Sequence, residues 1–355
     1  MKILIMAGGT GGHIFPALVI AKNLLAQGHE ILWLGTKQGM EHSIVPENGL
    51  PIAYINISGL RRHGLVRKLL GPFKIIYAVS QSVKIIKNFK PDAVLGMGGY
   101  VTGPAGIAAW LAKVPVYIHE QNSTVGLTNQ ILAKFSTKIF EGFPDSFKKI
   151  NRKVLFAGNP IRADIIDIVA PEVRIDSNNT HPLKILVLGG SRGAKAINTT
   201  VTASLKNWHS TQLPSVWHQS GVADLDEVTS QYLRLGLPAK VEPFIRDMAK
   251  AYAWADIVIC RAGALTISEL SSAGSASILI PYPYAVDDHQ TKNAYYLSKN
   301  GAAILFPEIK LTAYKLQELL INFSKDRRRL IQMACAARAL AKNDALGFIT
   351  KEILS

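Results

Sequence analysis

Lys2-Ile-Leu-Ile-Met-Ala-Gly-Gly-Thr-Gly-Gly-His13 opens the chain, and Lys184-Ile-Leu-Val-Leu-Gly-Gly-Ser-Arg-Gly-Ala194 repeats its outline in the second half. Each is a short apolar run that ends in a glycine-rich turn. That is the pattern of a buried parallel strand delivering a loop to the carboxyl edge of its sheet, where α/β proteins bind ligands. Two such halves predict two nucleotide-fold domains facing one another, and the difference between the loops predicts two different substrates.

Neither loop is the dinucleotide fingerprint. Gly9-x-Gly11 is followed by Ile14 where a third glycine should stand, and Gly190-x-x-Gly193 lacks the first pair. The second apolar run, Ile31 to Leu34, ends in Gly35-Thr36 and not in an acid placed for a ribose. A nicotinamide-linked enzyme is therefore disfavoured, and the absence of Gly-x-x-x-x-Gly-Lys-Ser/Thr disfavours a P-loop.

At 355 residues, 48% of them hydrophobic, the chain is long enough for about two domains with a core each. Its net charge of +15 is uneven, because residues 1–160 carry 18 Lys and Arg against 7 Asp and Glu. A basic first half calls for an acidic partner: nucleic acid, anionic lipid or a polyphosphate substrate. Nucleic acid explains the charge but none of the glycine loops, so no nucleic-acid partner is expected. Cys260 and Cys335 are the only cysteines, and neither a zinc pattern nor a disulfide framework is indicated. A reducing cytosolic setting fits, and with Met1 running straight into a strand no signal peptide is expected. The most apolar stretch, Val101 to Ile118, is interrupted by Gly103-Pro104, Lys113 and Pro115, so any membrane association should be peripheral.

Apolar strand candidates alternate with helical patterns at 2–7, 31–35, 52–56, 92–96, 115–119, 138–141 and 154–157, then at 184–189, 215–219, 240–244, 256–260, 277–281 and 302–306. Strands interleaved with helices predict parallel sheets built from βαβ units. A hinge is expected near Gly158-Asn159-Pro160, dividing the chain into domains 1–160 and 161–339. The pattern over 325–343 predicts a basic amphipathic helix that Phe348 to Ser355 continues, with 340–355 assigned to the first domain.

Several constellations fall at predicted carboxyl edges. Gly8 to Gly12 turns out of the first strand with bare amides, a helix following near Pro16, and suits a phosphate or a developing anion. His13 stands at its lip, where an imidazole can take a proton from an attacking hydroxyl; the alternative is a histidine that only packs the turn. His119-Glu120-Gln121-Asn122 gathers the mixed donors and acceptors that hydroxyl-rich ligands need, or else caps a helix. Gly96 to Tyr100 is a third glycine turn on that edge. In the second half, the small-residue turn Arg261-Ala-Gly263-Ala264-Leu265-Thr266 lets amides reach a diphosphate, while Glu269 accepts from sugar or ribose hydroxyls or is merely solvated. The proline-stiffened stretch from Pro281 to Asn293 suits recognition of a sugar. Between Arg61 and Lys90, aliphatic residues ringed by Lys and Arg fit either an anionic membrane surface, through the Leu65 to Ile76 region, or an amphipathic helix on its own sheet.

Seven motifs in order carry a resemblance: GGTGGHIFPAL from Gly8, GMGGYVTGP from Gly96, HEQN from His119, GNPIR from Gly158, GGSRGA from Gly189, CRAGALTISEL from Cys260 and DDHQTKNA from Asp287. On these the chain resembles the MurG family of bacterial N-acetylglucosaminyltransferases, from Met1 to about Gly347. The resemblance implies a GT-B fold, two Rossmann-like domains of parallel sheets facing a deep cleft, and a C-terminal helix that returns to the first domain. It implies that GlcNAc passes from UDP-GlcNAc to the C4 hydroxyl of MurNAc in undecaprenyl-pyrophosphoryl-MurNAc-pentapeptide, lipid I, giving lipid II.

By matching positions, the resemblance puts UDP-GlcNAc on the second domain. Gly190 and Ser191 lie by the diphosphate with Arg162 and the turn Ala264, Leu265 and Thr266. Ile245 and Met248 hold uracil, Glu269 the ribose, and Gln290 with Asn293 the GlcNAc hydroxyls. Lipid I falls to the first domain, its diphosphate on Thr10, Gly11 and Gly12, with Tyr100, Glu120 and Asn122 near the acceptor sugar. One form of the family has adjacent glutamines in the last motif, where this chain has His289-Gln290. The implied reaction inverts C1, with His13 as general base and Glu120 as the competing candidate. No cofactor and no metal is implied; Asp224-Leu-Asp226 matches a metal pattern only formally. The implied location is the cytoplasmic face of the inner membrane, with cell-wall synthesis proteins as further candidate partners. Other readings of the same loops are transfer to diacylglycerol, 2-epimerisation of UDP-GlcNAc, and nucleotide binding without turnover by a basic peripheral membrane protein.

Overall fold

The computed structural model describes residues 1–58, 65–148, 153–178, 180–190, 193–206, 208 and 212–355, with the backbone alone for 65–71. They divide into two units, Met1–Ile161 with Lys342–Ser355, and Arg162–Ala341. The first runs β1 (Lys2–Met6), α1 (Gly11–Ala26), β2 (Glu30–Gly35), α2 (Glu41–Glu47), β3 (Ile52–Tyr54), α3 (Leu65–Phe89), β4 (Ala93–Gly96), α4 (Thr102–Leu111), β5 (Val116–Glu120), α5 (Leu127–Leu132), β6 (Lys138–Glu141) and β7 (Val154–Phe156). The second runs α6 (Ala163–Ile166), α7 (Pro171–Arg174), β8 (Lys184–Leu188), α8 (Lys195–Ser204), β9 (Ser215–Gln219), α9 (Leu225–Arg234), β10 (Ala239–Glu242), α10 (Met248–Trp254), β11 (Ile257–Cys260), α11 (Ala264–Ala273), β12 (Ser277–Leu279), α12 (His289–Ser298), β13 (Ala303–Leu305), α13 (Ala313–Lys325) and α14 (Arg327–Ala339). A last helix, α15 (Ala345–Leu354), belongs to the first unit.

Every strand read from the apolar runs is present, and all pairing is parallel. The orders are β3-β2-β1-β4-β5-β6-β7 and β10-β9-β8-β11-β12-β13. Both reverse direction beside their first strand, between β1 and β4 and between β8 and β11. Period two sorts the side chains: Ile3, Ile5 and Leu95 face one core with Leu24 of α1 and Ile349 and Ile353 of α15, while Leu4, Met6 and Val94 face another with Ile86, Ala105 and Leu132. Apolar residues thus cover both faces, as a buried parallel sheet requires.

In the second unit Ile185, Val187, Ile257 and Ile259 form the core with Leu316, Leu320 and Leu330. Arg174 spans the ends of two of its helices, donating to the carbonyls of Tyr252, Ala255, Ala273 and Gly274. Burial lowers its pKa to about 10, with Asp256 opposing the shift.

Two expectations about helix bounds need correction. The 325–343 pattern holds only as α14, which Asp326 caps through the Arg328 amide, and the stretch expected to continue it is a separate helix beginning at Ala345. The amides of Leu340 and Ala341 bond three residues back, which tightens and ends the turn where the chain passes from one unit to the other. At the other end, α1 opens at Gly11 rather than near Pro16, so the buried Pro16 leaves the Gly12 carbonyl without its usual donor four residues on.

Candidate functional sites at the two sheet edges

Ligands of open α/β sheets bind beyond the carboxyl ends of the strands where the strand order reverses. In the first unit that point is flanked by the turns after β1 and β4, which interlock because both lack side chains. Gly99 has φ +85°, and a Cβ there would overlap the Gly8 carbonyl oxygen. Gly98, at φ +101°, makes room for the His13 ring: a Cβ would stand 2.8 Å from Cδ2 and 3.0 Å from Nε2. His13 Nδ1 lies 3.4 Å from Thr10 Oγ1, and Thr10 begins α1 in extended conformation. The amides of His13 and Ile14 both turn back to the Thr10 carbonyl, so Thr10, Gly11 and Gly12 present the anion-facing end of the helix.

Sequence reading missed the group that holds this turn. Glu41, at the start of α2, is fully buried. Its Oε2 accepts from the Gly9 amide at 3.1 Å, and its Oε1 accepts from the Thr36 amide at 2.9 Å and hydroxyl at 2.8 Å. Gly8, Gly35 and Gly39 all surround it, since a Cβ on any of them would collide with this carboxylate side chain. The Gly9 amide is thereby committed inside the protein and is withdrawn from any ligand. Glu41→Gln turns an NH2 group toward one of these donors and is expected to cost about 1–3 kcal/mol in urea unfolding. An unchanged midpoint would contradict that placement. Tyr100 lies over Gly9, with its hydroxyl 3.5 Å from Thr36 Oγ1.

At the end of β5, Glu120 is 3% exposed and takes four hydrogen bonds. They come from the Asn122 amide (3.1 Å) and side chain (3.3 Å), the Gly126 amide (3.0 Å) and Asn129 Nδ2 (3.0 Å). A carboxylate so occupied shapes the segment from Asn122 to Asn129. His119 is buried, donates from Nε2 to the Gly158 carbonyl at 2.9 Å and accepts at Nδ1 from Gln121 Nε2 at 3.0 Å. Burial drives its pKa down to about 4, which keeps it neutral and structural. Gly158 and Asn159, which bonds the Gln121 carbonyl at 3.1 Å, thus fix the end of the first unit to β5.

In the second unit the reversal lies between β8 and β11. Gly190 is exposed at φ +80°, and Gly193, at φ +74°, closes the turn through its amide to the Gly190 carbonyl at 3.1 Å. Ser191 lies outside the described residues. Across the reversal, Gly263 starts α11 in extended conformation, and the first amide bonded within the helix is that of Ile267. The amides of Ala264, Leu265 and Thr266 therefore point out of the helix end. Arg162 is exposed and pairs with Asp164 at 3.6 Å. Ile245 is buried, its amide taken by Gln219 Oε1 at 2.9 Å; Met248 is half-buried at the start of α10.

Glu269 is half-buried one level below the turn, accepting from Tyr252 at 2.9 Å. Gln290 and Asn293 hold the neighbouring loop. Gln290 Oε1 accepts from the amides of Ala262 (3.3 Å) and Tyr282 (2.9 Å), and the fully buried Asn293 donates to the Ala262 carbonyl at 3.2 Å. The Gln290 oxygen is thus committed to backbone amides, while Asn293 holds the Ala262 carbonyl. Asp287 and Asp288, just before α12, both adopt left-handed backbone, φ +54° and +50°, which Asp tolerates better than most residues with a side chain. Asp224 accepts from Asn198 Nδ2 at 2.8 Å. Among the described residues no three His, Cys, Asp or Glu are grouped to hold a metal ion.

Residues 3–141 match the glycosyltransferase family 28 N-terminal domain and residues 184–347 the C-terminal domain of the same family. The chain belongs to glycosyltransferase family 28. Within that family it is 49% identical, over 97% of its length and 96% of the relative's, to a protein of Coxiella burnetii (strain RSA 493 / Nine Mile phase I). That protein is a UDP-N-acetylglucosamine--N-acetylmuramyl-(pentapeptide) pyrophosphoryl-undecaprenol N-acetylglucosamine transferase. A protein of the same description from Marinobacter nauticus is 47% identical, over 97% of this chain and 94% of its own. The crystal structure of Acinetobacter baumannii MurG is similar at a TM-score of 0.87 and 39% identity, covering 99% of both chains. The kitacinnamycin glycosyltransferase, at 16% identity and a TM-score of 0.68, shares the fold. That fold is GT-B: two Rossmann-like units, each a parallel sheet wrapped by helices.

Proposed function

We infer that this chain is a UDP-GlcNAc-dependent N-acetylglucosaminyltransferase that converts lipid I to lipid II in peptidoglycan synthesis. The observation that carries it is a glycine turn and an open helix end at the strand reversal of each of two sheets, in a chain 49% identical over 97% of its length to a transferase of that description. Two anion sites fit a reaction in which donor and acceptor both carry a diphosphate.

The second unit takes UDP-GlcNAc. The amides of Ala264 to Thr266, the Gly190–Ser191 turn and Arg162 meet the diphosphate. The Ile245 carbonyl and Met248 meet uracil, Glu269 the ribose, and Gln290, backed by Asn293, the sugar. The first unit, Met1–Ile161 with the C-terminal helix, takes lipid I, with its diphosphate on Thr10, Gly11 and Gly12 and its sugar by Tyr100, Asn122 and the loop shaped by Glu120. His13 removes the C4 proton as that oxygen attacks C1 of GlcNAc from the face opposite UDP. The new C–O bond forms as the C1–diphosphate bond breaks, inverting C1 and giving a β1,4 link. Charge growing on the departing UDP meets the α11 amides and Arg162, which are already oriented when the bond breaks.

The acceptor's lipid calls for a membrane surface, and no described helix is long and apolar enough to cross one. Arg61 and Arg62 lie outside the described residues. Further along α3, Ala78, Ser82 and Ile86 share a buried face, whereas Phe73 (71% exposed), Ile76 (66%) and Tyr77 turn outward beside Lys74. On the neighbouring α4, Trp110 and Leu111 are also exposed, next to Lys113. Exposed apolar anchors among lysines support peripheral binding to an anionic surface, on the cytoplasmic face of the inner membrane.

The test is UDP release from UDP-GlcNAc with and without a short-chain lipid I analogue, with the product identified by mass. Acceptor-dependent release with a disaccharide product is the expected result. Release without acceptor would point instead to epimerase chemistry, and binding without release to a nucleotide-binding protein.

A further inference from the structure

Tyr252 lies in α10, in the stretch Ala251-Tyr-Ala-Trp254, and its ring is fully buried, yet its hydroxyl does not face apolar neighbours alone. It donates to Glu269 Oε2 at 2.9 Å. The two helices that carry this pair are tied together at their ends. Arg174 donates to the Tyr252 carbonyl (3.1 Å) and the Ala255 carbonyl (2.9 Å) on the α10 side, and to the Ala273 carbonyl (3.0 Å) on the α11 side. The donor is therefore fixed relative to the carboxylate, and Glu269 is held in one orientation before any ligand arrives. Glu269 Oε1 takes no hydrogen bond among the described residues.

We propose that Tyr252 is a positioning residue for the ribose, fixing the Glu269 carboxylate so that it accepts from both ribose hydroxyls and thereby sets the preference for ribonucleotide over deoxyribonucleotide. This rests on the reading of Glu269 as the ribose ligand. A carboxylate has about four lone-pair directions. With one engaged by Tyr252, the rotamer is set and the others remain for a vicinal diol. Burial pushes the Glu269 carboxyl above its usual range, while the Tyr252 hydroxyl and then the Arg162 charge pull it back and Asp164 pushes it up. Without Tyr252 the carboxylate loses both its orientation and one of the groups favouring its ionised, doubly accepting form.

The experiment compares wild type, Tyr252→Phe, Glu269→Ala and the double variant, using inhibition by UDP and by 2′-deoxy-UDP together with KM for UDP-GlcNAc and for the lipid I analogue. Tyr252→Phe keeps the buried ring, and its melting temperature checks the fold. The expected result is a KM for UDP-GlcNAc raised about tenfold with the acceptor KM unchanged. The deoxy-to-ribo inhibition ratio should fall in Tyr252→Phe, and the double variant should be no worse than Glu269→Ala. If Glu269→Ala loses the ratio while Tyr252→Phe keeps it, the positioning role is overturned and the ribose reading stands. If Glu269→Ala itself keeps the full ratio, the ribose reading falls and takes this inference with it.

Discussion

Replacing His13 with alanine is expected to lower kcat by about 10²–10⁴-fold while leaving KM for UDP-GlcNAc within about a factor of two. A general base acts on the proton only as the hydroxyl attacks, so its loss belongs to kcat and not to binding of the nucleotide sugar. The geometry favours His13 for two reasons. Its ring lies in the space that Gly98 leaves open, between the turns that end β1 and β4, and its Nδ1 edge is set by Thr10 at 3.4 Å. Glu120, the competing candidate, is instead engaged by four hydrogen bonds from Asn122, Gly126 and Asn129. Glu120→Ala should therefore behave differently, lowering the melting temperature and raising the acceptor KM by loosening the 122–129 loop. The check is steady-state kinetics on both variants. A kcat that survives in His13→Ala and collapses in a well-folded Glu120→Ala would move the base to Glu120.

The sheets were legible in the sequence because a parallel strand buried on both faces must be a continuous apolar run, and runs such as Ile3 to Met6 and Ile257 to Cys260 leave no competing period. The glycine turns were legible because backbone that packs on backbone admits no other residue. Glu41 was not. In Lys37-Gln-Gly-Met-Glu41-His it reads as one more solvated charge, and its bond from Gly9, thirty-two positions away, joins those from nearby Thr36 in holding it inside. Tyr252 hid for the opposite reason, since an aromatic among alanines reads as core and the partner of its hydroxyl lies on another helix. Composition gave Gln290 and Asn293 as polar groups on one helix but not their direction, and three of their contacts turn out to be with backbone. The end of α14 was lost because the basic pattern runs on smoothly through the residues where the chain changes unit.

Gly99→Ala should be as damaging as removal of His13, although it takes away no functional group. The new methyl group faces the Gly8 carbonyl oxygen, a backbone atom that cannot swing aside, so the two turns must part by roughly the 1 Å that misplacement of a catalytic group needs to cost about 10²-fold in rate. Positive φ alone adds strain of about 1–3 kcal/mol for a residue with a side chain. Gly28 separates the two causes. It has nearly the same φ, +83° against +85°, but a Cβ there meets nothing within 4 Å. Gly28→Ala should show the stability loss that belongs to φ and keep its activity, whereas Gly99→Ala should lose kcat/KM by at least about 10²-fold with a comparable or larger drop in melting temperature. With UDP on the second unit, as proposed, the loss should be much smaller in the affinity for UDP. Equal activity in the two variants would mean that the interlock of the Gly8 and Gly99 turns does not set the position of His13.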